Sequence, residues 1–136
     1  MLWLQRFQEP AYAALRVISG LLFSVHGMQK ILGWFGSNAR PAFASQLWLG
    51  GWIELVAGLL IACGLFTRPA AFLSSGTMAV AYVQFHWKLS GEGSQWVPAL
   101  NKGELAVLYC FVFLFIAARG PGIAALDNRL RRRTAR

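Results

Sequence analysis

The chain has 136 residues, of which 57% are hydrophobic and only 13% are charged. Soluble domains carry about 25% charged residues, so this composition argues against a soluble protein and indicates an integral membrane protein. The formal net charge of +8 could suggest nucleic acid as a partner, but arginines cluster at 129–136, directly after an apolar segment. A basic run in that place contacts lipid headgroups and sets orientation, so we expect no nucleic acid partner.

Four apolar segments predict four membrane-spanning helices, at about 11–34, 49–66, 70–89 and 103–119. Each approaches the ~20 residues that a bilayer core requires. Pro10 suits the start of the first helix, and a Gly-Pro-Gly sequence at 120–122 ends the fourth. We therefore predict an all-α fold, an integral membrane four-helix bundle in a single domain at 1–136, with a basic cytoplasmic tail at 120–136.

The basic residues outside these helices predict the orientation. An even number of spans puts both termini on one side of the membrane. Arg6, Arg68, Arg119 and the arginine tail fall on that side, whereas Arg40 and Lys102 fall on the other. Because basic loops stay inside, both termini are predicted to be cytoplasmic. The start of the chain is a poor signal peptide, so we expect the first helix to be retained.

One face of the first predicted helix is polar. Four polar residues, Arg16, Ser19, His26 and Lys30, share this face with Phe23, and the five recur at steps of three and four residues. A charged side chain inside a bilayer is costly, so this face is predicted to line the interior of the bundle. The second helix carries a single carboxylate, Glu54, among small residues that allow close helix packing within or between chains.

The alternating direction of the helices brings polar residues to one depth. At ~1.5 Å per residue, five of them should lie within about 10 Å of the outer interface. These are the predicted catalytic residues His26, Lys30, Glu54, His86 and Glu104. Each has a structural alternative, since a lysine can snorkel, a glutamate can cap a helix and a histidine can sit at an interface. Their convergence favours a functional site.

The mixture of residue types indicates proton-linked chemistry. Lys30 can neutralise Glu54 or Glu104, while a histidine at a low-dielectric boundary can move a proton near neutral pH. Such groups suit a quinone headgroup, which takes up protons on reduction. Histidine and glutamate also suit zinc or non-haem iron, although the Glu-x-x-His motif of di-iron bundles is absent. Haem between His26 and His86 is a further option.

Four segments of the chain resemble the DoxX family: HGMQKILGWFG at 26–36, GGWIELVAGLLIACGLFTRPAA at 50–71, NKGELAVLY at 101–109 and GPGIAALD at 120–127. The resemblance implies a small four-helix integral membrane protein of a quinone-linked or other redox system. Family members belong to an archaeal terminal quinol oxidase system and to thiosulfate:quinone oxidoreductase, and others to redox and thiol-stress complexes with partner proteins.

The family's recurring polar positions match His26, Lys30, Glu54, His86, Asn101, Glu104 and Asp127. The resemblance thus adds Asn101 to the site. We take His26, Glu54, His86 and Asn101 as candidates for binding a quinone headgroup. Asp127 lies at the opposite end of the helices, where an ion pair with Arg68 or Arg16 is expected.

Three functions remain open from the sequence. The first is a membrane subunit of a quinone-linked or other redox system, with electrons supplied by a partner protein or passed directly between substrates. The second is a non-enzymatic membrane partner that anchors a redox enzyme. The third is a small proton-coupled transporter, although the polar face thins toward the cytoplasmic side. Membrane lipid, a quinone, a redox partner protein and a second copy of the chain are the expected partners.

Overall fold

The computed structural model describes residues 1–36, 40–87 and 96–134. These residues form five α-helices and contain no strand. The helices are α1 Gln8–Leu32, α2 Gln46–Cys63, α3 Thr67–Ala81, α4 Glu104–Arg119 and α5 Leu126–Thr134. A 3₁₀ helix, Leu2–Phe7, leads into α1, and a π-helical segment, Tyr82–His86, continues α3. The all-α prediction is confirmed.

The helix bounds follow from local capping. α2 begins at Gln46 because the Ser45 hydroxyl accepts a hydrogen bond from the Trp48 backbone N–H at 3.2 Å. Gly33 and Gly64 directly follow α1 and α2 and end them, with φ angles of 71° and 69° that suit glycine. The predicted end of the third helix, at residue 89, lies outside the described residues. The basic tail contains α5, which the sequence patterns did not predict.

Two helices of the described part are long and apolar enough to cross a bilayer, Trp3–Leu32 and Gln46–Cys63. Large apolar side chains are also exposed along α3 and α4, among them Phe72, Leu108 and Phe111. Water disfavours so much exposed apolar surface, whereas lipid accepts it. These outward faces therefore suit contact with acyl chains.

Glycines bring α1 and α2 into backbone contact. A Cβ atom at Gly20 would lie 2.7 Å from the Gly58 carbonyl oxygen, and one at Gly27 would lie 2.3 Å from the Leu55 nitrogen. Gly51 faces α1 in the same way, so the two helices are antiparallel. The glycines on each helix are two turns apart and share a face. Close packing by small residues is thus used within the chain.

An aromatic cluster packs α1 against α4. The Phe23 ring lies 4.7 Å from that of Phe113 and 5.5 Å from that of Tyr109, measured between centroids. α3 joins α4 through the Ser75 hydroxyl, which donates to the Cys110 carbonyl at 2.8 Å. The core therefore lies between all four longer helices.

Arg16 is fully buried and binds the ends of other segments. Its Nη1 donates to the carbonyls of Ile61 and Ala62 at 2.7 and 2.8 Å. Its Nη2 donates to the Ala124 carbonyl at 3.0 Å. The last carbonyls of a helix have no partner within it and carry partial negative charge, so a guanidinium stabilises them. Arg16 thereby holds the C-terminal end of α2 and the loop before α5.

The ion pair expected for Asp127 is wrong. Its carboxylate accepts hydrogen bonds from the backbone N–H groups of Phe66 and Thr67, at 2.8 and 3.0 Å, and from the Thr67 hydroxyl at 2.8 Å. Arg68 instead donates to carbonyls at the end of α4, at 2.9–3.2 Å. Helix ends offer unpaired donors and acceptors, and these bind the charged groups.

Burial raises the pKa of the Asp127 carboxyl, but hydrogen bonds from Thr67 and Phe66 and the charge of Arg16 lower it by more. The pKa therefore lies below its ordinary value of 3.8. The ionised carboxylate is the form that caps α3.

Gly27→Ala should destabilise the protein by about 2 kcal/mol or more, because the added methyl group meets the backbone of α2. Gly50→Ala is the matched control on α2, since nothing lies within 4 Å of a Cβ atom there. It should leave stability unchanged or raise it through helix propensity. Thermal unfolding in detergent measures both, and equal effects would contradict the close contact.

Asp127→Asn should lower stability by about 1–2 kcal/mol at neutral pH, since an amide cannot accept all of these hydrogen bonds. The folded-state pKa is depressed, so the carboxylate stabilises the fold above about pH 4, and this contribution is lost as the pH falls through that pKa. Unfolding curves should show a difference between wild type and variant that shrinks with acidification. A difference independent of pH would show that the charge of Asp127 is irrelevant.

Candidate functional site

Glu54 and Lys30 form a partly buried ion pair. The Glu54 residue is 4% exposed, and its Oε1 lies 2.5 Å from the Lys30 Nζ. Its Oε2 is buried and has no hydrogen-bond partner in the described part of the chain. The glycine contact between α1 and α2 positions the pair, since Gly51, one turn before Glu54, packs on the Lys30 Cβ. A buried carboxylate oxygen without a partner is costly, so Glu54 is a candidate group for binding a ligand.

The ion pair borders a cavity of about 430 Å³ between α2 and α3. Apart from Lys30, Glu54, Gln46 and Thr77, its lining is apolar and includes Ile53, Phe72, Met78 and Phe85. Gly50 and Gly76 widen it, because nothing lies within 4 Å of a Cβ atom at either position. Ligand pockets commonly have such a volume and such a balance of apolar wall and few polar groups.

Two glutamines that sequence analysis missed belong to this region. The Gln46 amide, which lines the cavity, donates a hydrogen bond to the Gln84 side-chain oxygen in the π-helical segment. Gln46, Gly50 and Glu54 are spaced by four residues on α2, so helical periodicity could have placed Gln46 on the face of Glu54. Nothing in the sequence signalled Gln84, because its position depends on the π-helical turn.

His26 lies beside the ion pair but does not line the cavity. It is half-buried, and its ring stands edge-on to that of Tyr109 with the centroids 6.3 Å apart. Tyr109 is buried, and its ring also packs on that of Phe23. His26 therefore adjoins the aromatic cluster between α1 and α4.

His86 and Asn101 belong to a separate cluster. The His86 Nδ1 lies 3.1 Å from the Asn101 carbonyl oxygen, and the His86 ring stacks on Tyr82. The Tyr82 hydroxyl donates to the Trp96 carbonyl at 2.6 Å. The π-helical turn shapes this cluster, with the Trp87 N–H bonded to the Tyr82 carbonyl at 2.8 Å. Such turns often occur at functional sites.

Glu104 points away from both groups. It is exposed at the first position of α4, and it shares a face with Leu108, Phe111 and Phe115, which are exposed too. The buried face of α4 carries Ala106, Tyr109, Phe113 and Ile116 instead. The predicted convergence thus divides into a Lys30–Glu54 pair with His26 nearby, a His86–Asn101 cluster and an outward Glu104. No three His, Cys, Asp or Glu side chains among the described residues are grouped to hold a metal ion.

Comparison with known proteins places the chain in a family. The DoxX family model matches residues 11–87, more than half of the chain. The chain belongs to the DoxX family. The resemblance noted in the sequence is thereby confirmed.

Relatives of this DoxX protein span nearly its whole length. An uncharacterized protein of Haemophilus influenzae is 38% identical over 93% of this chain and 95% of its own. The putative oxidoreductase CatD of Bacillus subtilis is 31% identical over 83% of this chain and 81% of its own. The inner membrane protein YphA of Escherichia coli is 28% identical over 84% and 86%. No solved structure matches the chain. Localisation in the cell membrane, predicted from composition, is confirmed.

Lys30→Met should destabilise this DoxX protein by about 2 kcal/mol, because it leaves Glu54 buried and unpaired. The cost falls below that of a fully buried pair because the Lys30 side chain is 35% exposed. The double variant Lys30→Met with Glu54→Gln should recover most of the loss. Lys102→Met, at an exposed lysine, is the control. Additive losses in a thermal double-mutant cycle would contradict the ion pair.

Proposed function

We propose that this protein is the membrane subunit of a quinone-linked redox system, and that the cavity beside Glu54 and Lys30 receives the quinone headgroup. We also propose that α1–α4 cross the inner membrane as a four-helix bundle with both termini in the cytoplasm. A relative named putative oxidoreductase supports the redox assignment. The arginines at one end of the helices support the orientation.

The observation that carries the proposal is the unpaired Oε2 of Glu54 at the wall of an apolar cavity. A ligand that donates a hydrogen bond to this oxygen would remove the cost of leaving it unpaired. The Lys30 ammonium can donate to a carbonyl oxygen from the other side of the pair. Apolar walls from α2 and α3 suit a ring and a hydrocarbon tail. A quinone with its quinol form offers all of these groups.

The residues divide the chemistry between them. When bound, the quinone would supply two-electron chemistry coupled to protons, with a partner protein as the electron donor. Glu54 would take up a proton from solvent, pass it to the reduced headgroup and, ionised again, accept a hydrogen bond from the hydroxyl group so formed. Lys30 holds the Glu54 carboxylate through their ion pair and can donate a hydrogen bond that orients the carbonyl. His26 lies one turn before Lys30 and stays a candidate for proton exchange with solvent.

Glu54→Gln should weaken binding of decylubiquinone and of its quinol form by at least about tenfold, as expected for loss of a charged hydrogen bond. The protein would be purified in mild detergent, and binding would be followed by quenching of tryptophan fluorescence. Glu9→Gln is the matched control, since Glu9 is an exposed carboxylate paired with Arg119 away from the cavity. It should bind as the wild type does.

Gly76→Leu provides a variant that leaves both charges in place. Its side chain has room and would fill part of the cavity, so binding should fall while thermal stability is kept. Absence of binding in the wild type, or binding by Glu54→Gln and Gly76→Leu as tight as that of the wild type, would overturn the proposed site. An absorption spectrum of the same sample would expose haem by its Soret band.

A non-enzymatic anchor for a redox enzyme is the second candidate. It is favoured by the placement of His26 and His86 outside the cavity, which leaves Glu54 and Lys30 without an adjoining histidine in its lining. An anchor predicts a stable complex with a partner protein that survives Glu54→Gln and His26→Ala. Native purification of these variants distinguishes it from the quinone site.

A further inference from the structure

α5 is fixed to the end of α2, to the start of α3 and, through Arg16, to α1. Asp127 caps α3, its backbone N–H donates to the Gly64 carbonyl at 2.9 Å, and Arg16 holds the loop before it. The Asn128 side chain donates to the Gly122 carbonyl at 2.6 Å. The first turn of α5 therefore has a defined position, and this position lies where the apolar helices end.

The exposed surface of α5 combines apolar and basic side chains. Leu126 and Leu130, one turn apart, are 39% and 49% exposed. Arg129 and Arg132 are also exposed. At 100° per residue, Arg129 borders the face of the two leucines, whereas Arg132 points away from it. A helix of this kind lies in a membrane interface with its apolar side among acyl chains.

A groove joins these features into a site. Its volume is about 350 Å³, and its lining consists of Leu65 from the turn after α2 with Leu126, Arg129 and Leu130 from α5. The lining thus combines three leucines with one arginine around a space large enough for part of an acyl chain. If water filled the groove, the leucines would stay exposed to it, and an anion without an apolar part would contact Arg129 alone. An amphipathic anion satisfies both parts of the lining.

We propose that this groove binds an anionic phospholipid, with the phosphate on Arg129 and an acyl chain against Leu65, Leu126 and Leu130. A guanidinium can bind phosphate oxygens through paired hydrogen bonds. The other arginines of α5 add attraction for an anionic membrane surface. Because Asp127 and Arg16 hold α5 in place, the lipid would bind to a preformed site. This site lies at the opposite end of the helix bundle from Glu54.

The test is lipid retention by the full-length protein in native mass spectrometry. The probes are phosphatidylglycerol and phosphatidylcholine with identical acyl chains. The wild type should retain phosphatidylglycerol in preference. Arg129→Gln should lower this preference about fivefold, the equivalent of roughly 1 kcal/mol for one basic contact. Arg132→Gln removes the same charge from the same helix outside the groove, and should change the preference less than twofold.

Two further arms separate the parts of the site. Leu126→Ala should weaken retention of both lipids while leaving their ratio unchanged. Glycerol phosphate, which carries the anion without acyl chains, should not displace phosphatidylglycerol at equal concentration. Thermal unfolding checks that the variants keep the fold of wild type, as expected for exposed side chains.

Several outcomes would overturn the proposal. Equal retention of the two lipids by wild type would remove the anion requirement. Equal losses in Arg129→Gln and Arg132→Gln would indicate diffuse attraction and no site. Displacement by glycerol phosphate would indicate a phosphate site without an acyl chain. A protein that copurifies with wild type and is lost from Arg129→Gln, with no lipid preference, would assign the surface to a protein partner.

Discussion

The backbone contact between α1 and α2 is the constraint on which the other interactions depend. Gly20 lies on Gly58, and Gly27 meets the α2 backbone beside Gly51. Because the two helices lie so close, the two charged residues of α1, one on each side of the glycine contact, can reach partners on α2. Lys30 reaches the Glu54 carboxylate at one end, and Arg16 reaches the last carbonyls of α2 at the other. In lipid, where apolar surface gives little drive for helix association, such close packing supplies the cohesion.

The two ends use their charges differently. At the Arg16 end, charged side chains bind helix termini. Arg16 and Arg68 donate hydrogen bonds to backbone carbonyls, and Asp127 accepts them from backbone N–H groups. The end groups of a helix have no partner within it, and these side chains supply one. Within the described part of the chain, Arg16 and Glu54 each keep one buried polar atom without a hydrogen-bond partner. The guanidinium is enclosed by backbone carbonyls, whereas Glu54 faces a cavity, and only the cavity can admit a partner.

The region around Glu54 and the His86 cluster are connected through polar contacts at the same end of the helices. Gln46 lines the cavity and binds Gln84, and Gln84 belongs to the π-helical segment that also carries His86. Phe85 of that segment lines the cavity as well. The π-helical segment thus contributes residues to both places.

The sequence by itself determined the membrane class, the longer helical segments and the inward face of α1, because hydropathy and helical periodicity are local properties. The resemblance of four segments to the DoxX family added the membership, which the family model confirms. The sequence also identified Glu54 and Lys30, since charges in apolar helices must be paired. Depth along the bilayer placed Glu104 with them, but depth carries no information about lateral direction. Only the tertiary structure decided that Glu104 faces outward, that Asp127 caps α3, and that a cavity opens beside Glu54. Those outcomes depend on helix rotation and on contacts between distant segments, which no local pattern encodes.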